Sequence, residues 1–277
     1  MDLKLQGKTA IITGGNGGIG RGLTLGFAAE GCNTVIAARD TAKAQEVIRD
    51  AEAEGMPGKI IAADTDVTKQ DSVENMLAET LAAFGSVDVL VNNSGGVATP
   101  GPFEEQKPGD AQWEFALNIQ GVYNCTRAAA THMLAQGSGS IVNISSNSSL
   151  LGEAGNNVAN YAGCKGYVNS LTKALAYEWA QKGVRVNGIA PGWIVPWEAH
   201  QVSSNSFWER FGFELFGKPE EMAKQAEQGT LFNMQNQPIK RVGRPEDIAA
   251  LTLFLASDVS SFITGYTVSV SGGVYMP

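Results

Sequence analysis

Short runs of β-branched and apolar residues alternate along the chain with longer stretches in which apolar positions recur every three to four residues. The short runs read as buried strands and the long stretches as amphipathic helices. Strands are expected at residues 10–13, 34–38, 59–63, 87–91, 140–145, 184–189 and 266–270. Helices are expected at 19–30, 41–54 with Thr41 as its cap, 70–84 stopped by Gly85, 112–135 as one long rod, 158–181 and 245–256. The last opens on Pro245, a residue that suits a first helical turn. Regular βα alternation with strands apolar on both faces argues for an α/β fold with a doubly wound parallel sheet. No break in pattern marks a second domain, so residues 1–277 read as one unit. One irregular insertion, 197–240, stands apart.

Composition narrows the function classes. With 277 residues, 43% of them hydrophobic, the chain can bury one large core. The net charge of -8, without a basic stripe, argues against a nucleic-acid partner. No apolar run approaches the ~18 residues of a membrane span. Nothing before the first strand reads as a signal peptide, so a cytoplasmic location is expected. Cys32, Cys125 and Cys164 are far apart and odd in number, which fits neither a disulfide framework nor a zinc site. With only His132 and His200 available, no metal site is expected.

The candidate chemistry gathers at expected strand ends. Thr13-Gly14-Gly15-Asn16-Gly17-Gly18-Ile19-Gly20 joins the first strand to the first helix. Such a loop lets backbone amides and a helix N-terminus meet a pyrophosphate, as in Rossmann-type folds. Gly15, Gly17 and Gly20 fit the spacing G-x-G-x-x-G, and Gly14, Gly18 and Gly20 fit a looser frame. After the second strand, Ala38, Arg39 and Asp40 compete for the adenosine ribose. An acid there would accept from a 2′-hydroxyl, and an arginine would pair with a 2′-phosphate. Asp64 and Asp66 follow the third strand, as caps or as adenine contacts. Asn92-Asn93-Ser94-Gly95-Gly96 ends the fourth strand, and Ser145-Ser146 the fifth. Asn118 is a polar amide among apolar helical neighbours. Tyr161 and Lys165 stand four residues apart, on one helix face. A lysine ammonium beside a phenol would lower its ordinary pKa of about 10 and make it a usable proton donor or acceptor.

Taken together and in this order, these motifs resemble the short-chain dehydrogenase/reductase family, single-domain type, from Leu5 to about Gly273. The resemblance rests on the Thr13–Gly20 loop, Asp66-Val67, Asn92-Asn93-Ser94-Gly95, Asn118, Ile144-Ser145-Ser146, Tyr161 with Lys165, and Val186-Asn187 leading to Pro191-Gly192. Ser94 departs from the family's usual alanine. The gap between Ser146 and Tyr161 is longer than the commonest form, which places a small insertion near 153–157.

The resemblance implies hydride transfer between NADP(H) or NAD(H) and a secondary alcohol or ketone. Tyr161 would be the general acid or base, with Ser146 on the substrate oxygen. Lys165 would hold the nicotinamide ribose and lower the tyrosine pKa, and Asn118 would anchor a relay water. The cofactor would be held by Gly14, Asn16, Gly17, Gly18, Ile19, Gly20, Arg39, Asp66, Val67, Asn93, Ser94, Gly95, Tyr161, Lys165, Pro191, Gly192 and Ile194. Arg39 after Ala38 matches the family's NADP pattern, although Gly17 stands where a second basic residue is often found. Pro196 replaces the usual threonine near the cofactor amide.

The insertion 197–240 would be a substrate lid. Its Trp197, Phe207, Trp208, Phe211, Phe213, Phe216 and Phe232 either pack it onto the body or line a roomy apolar pocket. The substrate residues expected are Ser146, Tyr161, Trp193, Trp197, Trp208 and Phe211. A bulky apolar substrate is implied, cyclic, aromatic, steroid-like or acyl thioester. The alternatives are a 3-oxoacyl thioester reductase, and a catalytically silent dinucleotide-binding sensor or scaffold. A homotetramer or homodimer is implied, with the helices of Asn118 and Tyr161 at one interface.

Overall fold

The protein is described here from a computed structural model covering residues 2–152, 155, 157–231 and 237–276. Seven strands form one parallel sheet: β1 (Thr9–Thr13), β2 (Asn33–Ala38), β3 (Ile60–Asp64), β4 (Val89–Asn92), β5 (Gly139–Ile144), β6 (Val184–Pro191) and β7 (Thr267–Val270). Their spatial order is β3-β2-β1-β4-β5-β6-β7. Strand order therefore reverses between β1 and β4, where Ile12 pairs with Ile36 on one side and Val91 on the other. In an open parallel sheet the ligand crevice lies outside the carboxyl strand ends at such a reversal.

Side-chain alternation along the strands feeds two cores. Ile11 and Val35 pack with Val73 and Met76 of α3 (Gln70–Phe84), Cys125 and Met133 of α5 (Gly121–Gln136), and Trp179 of α6 (Ala159–Trp179). Ala10 and Ile12 pack on the other face with Leu23 and Phe27 of α1 (Gly18–Ala29) and Ile248 of α9 (Pro245–Ala256). Ile36 and Ala38 meet Ala44 and Val47 of α2 (Thr41–Ala53).

Two local expectations change. The cap of α2 is Asp40, whose carboxylate accepts from the Lys43 N–H at 3.0 Å; Thr41 is already the first helical residue. The expected rod at 112–135 starts earlier and is not uniform. α4 (Pro108–Phe115) opens on Pro108, a π-helical turn spans Ala116–Gln120, and α5 follows. Proline in a first turn was the unread start signal. The π turn carries Asn118, whose amide bonds the Glu114 carbonyl one turn back at 3.0 Å.

Described residues of 197–240 form a separate small core with the chain on either side of them. Val195, Met222, Ala226, Leu231 and Val242 pack with Trp193, Trp208, Phe213 and Phe216. The helical pieces are a 3-10 turn at Ala199–Gln201, a π turn at Trp208–Gly212, α7 (Phe213–Phe216) and α8 (Pro219–Glu227). Phe232, and most of the expected insertion at 153–157, lie outside the described residues.

Candidate active site

A cleft of about 1500 Å³ runs across the carboxyl ends of the strands. One end is the glycine loop. The Thr13 hydroxyl accepts from the backbone N–H groups of Asn93 and Ser94, each at 2.9 Å, and Asn93 Nδ2 donates to the Thr13 carbonyl at 2.8 Å. The loop after β4 is thereby locked to the end of β1. Gly18 takes φ +53°, and nothing lies within 4 Å of the place a Cβ would occupy. The loop thus presents bare backbone and the start of α1 to the cleft, which fits the pyrophosphate of a dinucleotide. Gly14, Asn16, Gly17, Gly18, Ile19, Gly20, Arg39, Asp66, Val67, Asn93, Ser94, Gly95, Pro191, Gly192 and Ile194 all line the same cleft.

Arg39 is exposed at the end of β2. Burial works against the charge of nearby Asp66, but the Thr68 hydroxyl and amide outweigh it, with Arg39 and Lys69 adding. The Asp66 carboxyl is held below its ordinary value. Asp40 is also lowered, by the Lys43 N–H first and then by the Ser204 hydroxyl.

Asn118 is fully buried, and both its amide donors are committed. Its Nδ2 donates to the carbonyls of Gly96 (2.9 Å) and Glu114 (3.0 Å), and its Oδ1 accepts from the Gly96 N–H at 3.0 Å. The expectation that Asn118 anchors a water meets a limit: only a second lone pair on Oδ1 remains to its side chain. Gly95 fits between Asn118 and Lys165; a Cβ there would stand 2.8 Å from Asn118 Oδ1 and 2.9 Å from Lys165 Nζ. Lys165 is 2% exposed and donates to the Ile144 carbonyl at 2.8 Å.

Tyr161 lines the cleft, half-buried, with Lys165 Nζ 5.7 Å from its ring centroid. The expected lowering of its pKa by lysine is not what the protein's own groups produce. Burial pushes the phenol up to about 12; the Ser146 hydroxyl pulls the other way, and Glu114 and Cys164 add to the rise. The physical reason is shared desolvation: burial also pushes the Lys165 ammonium down, to about 8. Ser146 sits at the end of β5, its Oγ accepting from the Ser148 N–H at 3.2 Å and from the Ser148 hydroxyl at 2.8 Å. Ser145, by contrast, spends its hydroxyl on the Lys165 carbonyl at 3.2 Å.

Part of the cleft wall is aromatic. Trp193 meets Trp208 edge-on at 5.7 Å and Phe216 at 4.8 Å, and Phe207 joins Trp208 at 5.5 Å. These four and Trp113 line the cleft, whereas Trp197 and Phe211 do not. Trp197 is 57% exposed; its ring lies under Arg244 at 4.0 Å and its indole N–H donates to Glu246 at 3.3 Å, which holds it against the start of α9. Phe211 is turned aside between Phe207 (6.3 Å) and Arg210 (4.7 Å).

Sequence reading did not name Trp113, and Phe207 and Phe216, offered there as packing or lining residues, stood outside its substrate set; all three line the cleft. It also missed Glu114, although its spacing of four from Asn118 was a signal. Ser203 and Ser204, which reach the glycine loop and Asp40, carried no local signal at all.

The short chain dehydrogenase family model matches residues 8–205. The 3-oxoacyl-(acyl-carrier-protein) reductase FabG of Staphylococcus epidermidis is 36% identical over 272 residues, 97% of this chain and 99% of that protein. Among solved structures, a 7α-hydroxysteroid dehydrogenase complexed with NADH and 7-oxo glycochenodeoxycholic acid matches with TM-score 0.81 and 30% identity, covering 98% of this chain and 96% of that one. The 3-ketoacyl-(acyl-carrier-protein) reductase of Brucella melitensis complexed with NADH matches with TM-score 0.80 and 30% identity, covering 99% of this chain and all of that one. With strand order, glycine loop and whole-length likeness in agreement, the chain belongs to the short-chain dehydrogenase/reductase family and is an NAD(P)-dependent oxidoreductase.

Proposed function

We propose that the protein moves a hydride between NADP(H) or NAD(H) and a bulky, apolar secondary alcohol or ketone, with Tyr161 handling the proton. The observation that carries this reading is the composition of the cleft at the strand ends. Ser146, Tyr161 and Lys165 share it with a bare glycine loop and with Trp113, Trp193, Phe207, Trp208 and Phe216. The nicotinamide supplies or takes the hydride when the dinucleotide is bound.

In carbonyl reduction, the Ser146 hydroxyl donates to the substrate oxygen and orients it. Tyr161, kept protonated by burial, delivers the proton to that oxygen. Lys165, fixed by the Ile144 carbonyl, holds the nicotinamide ribose and restores the phenol's proton supply. Asn118 keeps the loop after β4 in place through both polar groups of Gly96. In alcohol oxidation the same phenol, ionised, removes the hydroxyl proton.

Arg39 supports NADP, since a guanidinium can pair bidentately with a 2′-phosphate and β2 ends at Ala38 without an acid. Among relatives solved with a dinucleotide, two hold NADH and a putative gluconate 5-dehydrogenase from Beutenbergia cavernae holds NADP, so NAD stays as the alternative. Residues 197–240 act as the substrate lid, and the steroid-bearing relative supports a bulky ring substrate. A second reading, reduction of a 3-oxoacyl thioester, is favoured by the named function of the whole-length relative from Staphylococcus epidermidis.

The enzyme works as a homotetramer or homodimer in the cytoplasm. Exposed Phe262, Tyr266, Tyr177 and Met276 near β7 and α6 support self-association. The test is a panel of bulky cyclic ketones, their alcohols and β-ketoacyl thioesters, followed by NAD(P)H absorbance. Turnover of cyclic ketones above thioesters supports the first reading. Thioester reduction alone replaces it with the second, and no turnover with either dinucleotide refutes both.

A further inference from the structure

Glu114 lies on α4, one turn before Asn118, and is 1% exposed. Among the described residues no lysine, arginine or histidine forms an ion pair with it. Its carboxylate is instead held by neutral donors from two other segments. Oε1 accepts from the Ala98 N–H at 2.8 Å, in the loop after β4. Oε2 accepts from Asn160 Nδ2 at 2.7 Å, in the first turn of α6, and from Gln106 Nε2 at 3.5 Å. Its backbone carbonyl accepts from Asn118. Burying a carboxylate without a cation is costly, and an apolar side chain at this point of α4 would avoid the cost. What the carboxylate adds is a three-way tie, and one of its ends is the residue next to Tyr161.

We propose that Glu114 is a positioning residue for the reaction: through Asn160 and Ala98 it fixes the start of α6 against α4 and the loop after β4, and so fixes where the Tyr161 phenol stands. This rests on Tyr161 being the proton-transfer group. The ionisable groups that face the phenol are Lys165 and Cys164 from α6 and Glu114 from α4, with the Ser146 hydroxyl reaching it from the end of β5. Glu114 supplies negative charge beside a phenol that burial already keeps protonated, and Lys165 is the opposing charge. The tie therefore has a geometric part, carried by Asn160, and an electrostatic part, carried by the carboxylate.

Two substitutions separate the parts. Glu114→Gln keeps the size: its amide oxygen still accepts from Ala98 and a flip of the Asn160 amide restores the bond to Asn160, so mainly the charge and the long contact from Gln106 are lost. The rising limb of alcohol oxidation against pH should move to lower pH, because the phenol ionises more easily. Asn160→Ala keeps the charge and cuts the tie. Its kcat should fall about tenfold or more with the KM for dinucleotide unchanged and the limb in place. A merely structural Glu114 would lower the melting temperature in Glu114→Gln and leave the limb unmoved, which overturns the proposal. So does wild-type kcat in Asn160→Ala while Tyr161→Phe is inactive. If Tyr161→Phe itself matches wild type, the assignment of the phenol has failed, and this proposal with it.

Discussion

The Ser203 hydroxyl donates to Oδ1 of Asn16 at 3.3 Å. This bond brings the segment after β6 down onto the glycine loop, at the opposite end of the chain. Ser204 extends the closure by donating to Asp40 at 2.8 Å, and Lys43 Nζ donates to the His200 carbonyl. A Cβ on Gly17 would run into the Ser203 backbone. The same crowding explains why no basic side chain stands at position 17. Gly17→Ala should therefore lift residues 198–206, read as faster amide exchange there, and weaken dinucleotide binding several-fold. Unchanged exchange in that segment would show that the contact is not holding it.

Arg39 has no ion pair with any described residue and lines the cleft. A charge-assisted hydrogen bond contributes about 1.5–3 kcal/mol, or roughly ten- to a hundredfold in affinity. Arg39→Ala should raise the KM for NADPH by that factor and leave the KM for NADH nearly unchanged. Equal or better use of NAD by the wild type in steady-state kinetics would remove the NADP preference.

Lys165 gives a pH-dependent stability signature. Its folded pKa is pushed below the ordinary lysine value, to about 8, so between about 8 and 10.5 the unfolded chain holds more protons than the folded one. That contribution makes stability rise with pH across the window; below 8 the burial penalty is fully present. Tyr161 and the three cysteines, all pushed up, act in the opposite sense at higher pH, but they remain in a variant. The melting temperature of wild type minus that of Lys165→Met should therefore increase from pH 7 to pH 10. A constant difference would mean that the lysine is not desolvated.

The aromatic wall separates lining residues from packing residues. Trp208→Ala should raise the KM for a bulky cyclic ketone about tenfold or more, since full burial of a large side chain is worth about 1.5–3 kcal/mol. A small ketone should be little affected. Trp197→Ala, whose ring rests on Arg244, should change neither. Equal effects of the two substitutions on both ketones would place the substrate elsewhere.

Much of this architecture is readable from residue pattern alone, and the exceptions share a cause. The expected ranges 70–84 and 245–256 coincide with α3 and α9, because Gly85 and Pro245 punctuate them locally. The strand ends carrying Asn93, Ser146 and Arg39 were legible because parallel-sheet topology sends every strand's carboxyl end to one crevice. The π turns were not legible, since they arise from tertiary bonds such as that of Asn118 to Gly96. Trp197 and Phe211 had the right chemistry, but their orientation depends on Arg244 and Arg210, which no helical spacing reveals. The direction of the Tyr161 shift likewise depends on burial, which charge spacing does not report.

The most direct test of the account is turnover by Tyr161→Phe with a bulky ketone and NADPH, alongside dinucleotide binding by fluorescence titration. The predicted result is a loss of about 10²–10⁴-fold in kcat, the range for removing a general acid, with dinucleotide affinity within a few-fold of wild type. Turnover equal to wild type would contradict the assignment of Tyr161 as the proton donor.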